Sequence, residues 1–255
     1  MWNAPVQLGF DGRPAALPLA AGAVLLGLGT LYFLIRGLAV EDARAKRFHL
    51  VTTLIPGIAF ASYLAMLLGF GVTDVTIQGG ETVEVYWARY ADWIFTTPLL
   101  LVDLGLLAGV DRETLFGAVA ADAFMVVTGL VATLSKVRTY RYVWWAVGTL
   151  AFLTVVYFLL VTLTETARRR DAASESTFRT LRNLTLVLWT VYPVWWLAGT
   201  KGAGLLSLSV EAVGFAVLDV LARVGFGLIL LRSRAVGADA SAPDSTPRAA
   251  TDPAE

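Results

Sequence analysis

A chain of 255 residues that is 57% hydrophobic, with a mean hydropathy of +0.68, is too apolar for an ordinary soluble domain and reads as a polytopic membrane protein. Its 20 basic and 20 acidic residues cancel, so no charge imbalance draws it to nucleic acid. It contains no cysteine, which excludes a disulfide framework, a thiol nucleophile and thiolate metal ligands.

Seven apolar runs, near 16–38, 48–71, 86–108, 114–134, 142–165, 178–199 and 206–232, each approach the roughly 20 residues that cross a bilayer as a helix. The expected fold is therefore an all-α bundle of seven transmembrane helices. Residues 1–15 form an extracellular segment, 16–232 the bundle, and 233–255 a disordered cytoplasmic tail rich in Ala, Asp, Pro and Ser. No signal-peptide pattern precedes the first run, so that span is expected to be retained and to direct insertion. The link VTIQGGETVE, with β-branched residues around Gly79-Gly80, predicts a small hairpin. The GVDRE and SKVRTYR links are short and require antiparallel neighbours. Pro56, Pro98 and Pro193 fall inside spans, which a bundle tolerates when neighbours satisfy the freed carbonyls. His49, the single histidine, follows Lys46 and Arg47 at the start of a span and reads as an interfacial residue, not a metal ligand. Thirteen basic residues fall on the side of the first, third and fifth links and the tail, against five on the other side, Arg13, Lys136, Arg138, Arg141 and Lys201. That asymmetry places the N-terminus outside and the C-terminus in the cytoplasm. The chain is expected in the cell membrane, in contact with lipid and as a homo-oligomer.

The stretch Arg89–Leu104, RYADWIFTTPLLLVDL, carries Arg89, Asp92 and Asp103 in a run otherwise built for lipid. Ionisable groups at that depth cost about 2.5–3.5 kcal/mol each on insertion, so they are rare and generally functional. Arg89 and Asp92 are three residues apart and share a helical face. Asp103 lies three turns further along, roughly 16 Å away on the same face. A cation beside Asp92 favours its ionised form, whereas the leucines around Asp103 favour the neutral acid. Carboxylates at two depths with opposed preferences are the layout of a proton path. The competing reading is that these charges only hold helices in register. Trp189, Tyr192 and Trp196 recur at three and four residues and form one face, suited either to packing or to a flat apolar ligand.

The same stretch closely resembles the third helix of the archaeal retinal proteins, the bacteriorhodopsin and archaerhodopsin group of microbial rhodopsins. The resemblance runs from FDGRP through YLAMLLGFGVT, RYVWWA, TFRTLRN and WTVYPVWWLAGTKGAG to VGFGLILLRSRA. It implies a light-driven outward proton pump with a retinal cofactor, a transporter and not an enzyme. By resemblance, Asp92 is the counterion and proton acceptor, and Asp103 the cytoplasmic-side donor with Thr52 as its partner. Asp219 is the second counterion and Arg89 the gate toward the outer side. Trp93, Thr96, Thr97, Leu100, Met125, Gly129, Trp145, Trp189, Tyr192, Pro193 and Trp196 enclose retinal. Asp122 and Thr97 match a structural carboxyl–hydroxyl pair. Of the two outer glutamates used for proton release, Glu211 matches one, and Lys201 stands at the other, where it neutralises Glu211.

One position departs from the family at its centre. The last helix reads Asp219-Val-Leu-Ala-Arg223, with Arg223 in the place of the lysine that links retinal. An imine forms from a neutral primary amine. A guanidinium stays charged, with a pKa above about 12. Lys46, Lys136 and Lys201, the remaining lysines, all fall in links or at helix ends. Covalent retinal is therefore expected to be absent, and Arg223 is expected to pair with Asp219, Asp92 or both. Two rivals stand beside the pump reading: a retinal-free opsin with a structural or interaction role, and a non-covalent binder of retinal or another isoprenoid.

Overall fold

The structure is a computed structural model that describes residues 13–237. The expected N-terminal segment lies almost wholly outside the described residues, as does most of the expected tail. Seven long helices run through the described chain: α1 (Ala16–Leu38), α2 (Ala43–Leu67), α3 (Ala88–Ala108), α4 (Arg112–Leu134), α5 (Arg138–Ala167), α6 (Ala172–Ala198) and α7 (Leu208–Arg232). Six are both long and apolar enough to cross a membrane. The other, α6, has the length at 27 residues, but Glu175, Arg179, Arg182 and Asn183 dilute the hydropathy of its first turns.

Helices α2, α4 and α6 start earlier than their apolar runs, and the cause is capping. Asp42, Asp111 and Asp171 each accept the backbone N–H three residues on, at 2.7, 2.8 and 2.9 Å. An aspartate cap satisfies a donor that the first turn leaves unpaired. Apolarity marks where a helix enters hydrocarbon; the cap marks where the helix begins, and a polar turn lies between them. At the far end Arg234–Gly237 adds one short helical turn, so the first residues after position 232 are ordered.

Between α2 and α3 the expected hairpin is present: β1 (Thr73–Thr76) pairs antiparallel with β2 (Thr82–Val85), Thr73 opposite Val85. Its turn uses φ of 109° at Gly79 and 90° at Gly80, a region open to glycine at little cost. Gln78 N–H donates to the Lys136 carbonyl at 2.8 Å, tying the hairpin to the α4–α5 link.

Sequential helices pack as neighbours, and α7 closes back on α1. Leu17, Leu28, Phe116, Leu150 and Val187 face outward, as a lipid-facing surface demands. Inside, Leu100, Leu104, Phe152, Leu188 and Phe226 belong to one core, and Tyr63, Met66, Ala88 and Ala216 to a second. Gly22 on α1 leaves the space into which the Tyr63 ring fits. Two helices widen by a π-helical turn, α5 at Phe158–Thr162 and α7 at Leu221–Gly225. The second carries Arg223. Such turns re-aim side chains and frequently occur at functional sites.

Candidate functional site

α3 and α7 face each other at mid-bundle, and Arg223 joins them. Its Nη2 donates to Asp92 Oδ2 at 2.6 Å, and its Nη1 donates to Asp219 Oδ1 at 2.7 Å. Asp219 precedes Arg223 by one turn, the favourable order for an i,i+4 pair. Asp219 also accepts hydrogen bonds from Tyr63 at 2.5 Å, Tyr192 at 2.8 Å and the Trp93 indole at 3.4 Å. Asp92 and Asp219 are fully buried, and Arg223 is 2% exposed. Charges this deep persist only when paired.

Arg89 departs from expectation. Its guanidinium engages Asp219, with Nη1 at 3.6 Å from Oδ2, and rests 4.2 Å from the centre of the Phe215 ring. Among the described residues the ion pair of Asp92 is with Arg223, not with its helical neighbour Arg89. Shared helical face pointed to Arg89; the structure instead shows Arg223 paired with both Asp219 and Asp92, as its place on the last helix led us to expect. Arg89, Asp92, Asp219 and Arg223 together carry two positive and two negative charges.

Beside this cluster lies a cavity of about 110 Å³ with Arg223 in its wall. Trp93, Thr97, Leu100, Met125, Gly129, Trp145, Trp189, Tyr192, Pro193 and Trp196 all line it, as expected. Thr96 does not. It is buried beside the ions, donating to the Asp92 carbonyl at 3.0 Å, and Arg223 Nη2 reaches its hydroxyl at 3.3 Å. Thr96 and Thr97 are adjacent on a helix, so they point in directions about 100° apart, and only one can face the cavity. Trp145 donates to the Pro193 carbonyl at 3.1 Å, and Trp196 to Thr133 at 2.8 Å, so both indoles are held in place. Tyr90, Val126, Ala132, Gly148, Thr149, Phe152 and Ala222 complete the wall and were not anticipated.

Toward the cytoplasm Asp103 is fully buried, with Thr52 donating to it at 3.1 Å. Thr97 donates to Asp122 at 2.7 Å, linking α3 to α4. At the outer end Lys201 Nζ lies 2.6 Å from Glu211 Oε1, while the Thr200 N–H and hydroxyl both donate to Oε2 at 2.8 Å. Arg141, counted in the sequence as an outer-link charge, is 1% exposed instead. It donates to the carbonyls of Lys201, Thr133 and Ser135 at 2.9–3.0 Å. Lys46 and Lys136 are exposed, and none of the three lysines lines the cavity. Tyr63, Tyr90 and Thr133 carry no charge and follow no spacing that marks a site; their roles come from contacts across 43 to 156 residues of sequence.

The sequence profile of the family described as Bacteriorhodopsin-like protein matches residues 14–237. The chain belongs to that family. It is 54% identical over 238 residues to Bacteriorhodopsin of Halobacterium salinarum, covering 93% of this chain and 90% of that protein. With Archaerhodopsin-3 of Halorubrum sodomense the identity is 53% over 234 residues, covering 92% and 90%. Among solved structures, thermophilic rhodopsin from Rubrobacter xylanophilus superposes with a TM-score of 0.82 at 44% identity, over 87% of this chain and 97% of that one. Halorhodopsin, a light-driven chloride pump, superposes with a TM-score of 0.85 at 33% identity, over 90% and 98%. The seven-helix fold and the multi-pass membrane location follow from these relationships.

Proposed function

We propose that this chain carries the architecture of a light-driven outward proton pump whose cycle Arg223 arrests. The supporting observation is the Arg223 guanidinium clamped between Asp92 and Asp219 at the wall of the aromatic cavity. Asp92 in the acceptor position and Asp103 in the donor position fit proton transport. Chloride-pumping relatives lack the acceptor carboxylate, and sensory relatives generally lack the carboxylic donor.

The lining suits the apolar body of retinal in chemistry, since flat aromatic and small side chains wall the cavity. The attachment does not fit. Arg223 cannot supply a neutral amine, and its Nη atoms are already committed to the two aspartates. A guanidinium reproduces the positive charge between two carboxylates but cannot release a proton, so it cannot hand one from the Asp103 side to Asp92. At the outer end the Lys201–Glu211 pair compounds the block, because the lysine holds the carboxylate that release would use.

The cavity also supports a second reading, non-covalent capture of retinal or a similar isoprenoid, because its wall is apolar and aromatic although no lysine borders it. Illumination of vesicles containing the unaltered chain and all-trans retinal distinguishes function from descent. No light-dependent pH change is expected, with or without an uncoupler. Uncoupler-sensitive acidification on the outer side would overturn the proposal.

A further inference from the structure

A second space opens far from the aromatic cavity, at the cytoplasmic ends of α5 and α6. It measures about 250 Å³ and is lined by Thr164, Arg168, Glu175, Phe178, Arg179 and Arg182. One water needs only about 10–15 Å³ on this measure, so the space admits a polyatomic group. Three guanidiniums face one carboxylate there. Arg182 is held in place, donating to Thr164 at 2.6 Å and to Asn183 at 2.8 and 3.1 Å. Arg168, Arg179, Arg182 and Glu175 make no ion pair among the described residues, so three cations border a polar cavity against one carboxylate. The excess of two positive charges equals the charge of a phosphate monoester, which carries about −1.5 to −2 near neutral pH. Arginine is the side chain best matched to phosphate, because its fork of donors pairs with two oxygens at once.

Depth selects the source. The cavity lies where two spanning helices leave the membrane, on the side that the basic-residue asymmetry assigns to the cytoplasm, at the level of lipid headgroups. Basic pockets between helices on that side suit anionic headgroups. We propose that this cavity binds the phosphomonoester headgroup of an anionic phospholipid, bridging the ends of α5 and α6 through Arg168 and Arg179.

The test uses the full chain in phosphatidylcholine nanodiscs doped with phosphatidic acid, with native mass spectrometry reading the lipid retained on release. Phosphatidic acid should be retained in preference to phosphatidylcholine. Arg168→Gln/Arg179→Gln should weaken that retention about tenfold or more. Arg47→Gln/Arg112→Gln, an equal loss of exposed charge on the same side, should leave it unchanged, and thermal melting of each variant reports its folding. Equal weakening by both pairs, or no preference for phosphatidic acid, would overturn the proposal. Inorganic phosphate is the second arm. Displacement of the lipid by phosphate supports the shared chemistry. Phosphate binding that needs Arg168 and Arg179 while the lipid shows no preference would overturn the lipid as source.

Discussion

Arg223→Lys should yield a coloured pigment with all-trans retinal and light-dependent outward proton movement where the unaltered chain gives neither. Everything around the position is retained. Asp92 and Asp219 flank it, Trp93, Trp145 and Trp189 wall the cavity, and Asp103 sits with Thr52 on the cytoplasmic side. Lysine is shorter than arginine by the reach of the guanidinium and supplies the neutral amine that imine formation needs. The effect is the difference between none and a working cycle, read as uncoupler-sensitive acidification. A variant that takes up retinal but moves no protons would place the block at the Lys201–Glu211 pair, and Arg223→Lys/Lys201→Glu then separates the two causes. If the double variant also moves no protons, Asp92 and Asp103 are not acceptor and donor here.

The second large effect is on stability. Asp219→Asn should destabilise the bundle by about 3–5 kcal/mol, the usual result of removing one partner from a buried ion pair. Asp219 is the hub of the cluster: it pairs with Arg223 at 2.7 Å, lies 3.6 Å from Arg89, and accepts from Tyr63 and Tyr192. Without its charge two buried arginines are left with Asp92 alone. Asp219→Asn/Arg223→Met should recover little of the loss, because it leaves Asp92 and Arg89 buried without the partners they have in the cluster. Thermal or denaturant unfolding in one detergent gives both values. A loss for the single variant within about 0.5 kcal/mol, as at an ordinary surface site, would contradict the cluster.

What the sequence made legible and what it hid divide along physical lines. Apolar runs long enough for a bilayer locate seven helices, because water-free hydrocarbon leaves few alternatives for the backbone. They misplace several starts, because Asp42, Asp111 and Asp171 cap polar turns that hydropathy does not see. The cavity residues were legible by resemblance, and ten of the eleven line it. Thr96 sits beside the ions instead, because one residue of offset on a helix changes the face. Local spacing pointed to Arg89 as the cation beside Asp92, whereas the expected pairing of Arg223 with Asp219 and Asp92 is present, the second across 131 residues. Tyr63 escaped for the same reason: its hydroxyl meets Asp219 across 156 residues. Arg141 looked like an interfacial charge, yet backbone carbonyls satisfy it inside the bundle. The π-helical turn that carries Arg223 has no mark in the residues themselves.

In the proposed function Arg223, held by Asp92 and Asp219, removes the covalent step and leaves the rest of the site in place. Borohydride reduction after incubation with all-trans retinal, followed by intact mass and peptide mapping, tests it most directly on the unaltered chain and on Arg223→Lys in parallel. No retinyl adduct is expected on the unaltered chain, and one adduct is expected on the substituted residue of α7 in the variant. A stable retinyl adduct on any residue of α7 in the unaltered chain, or none in the variant, would contradict it.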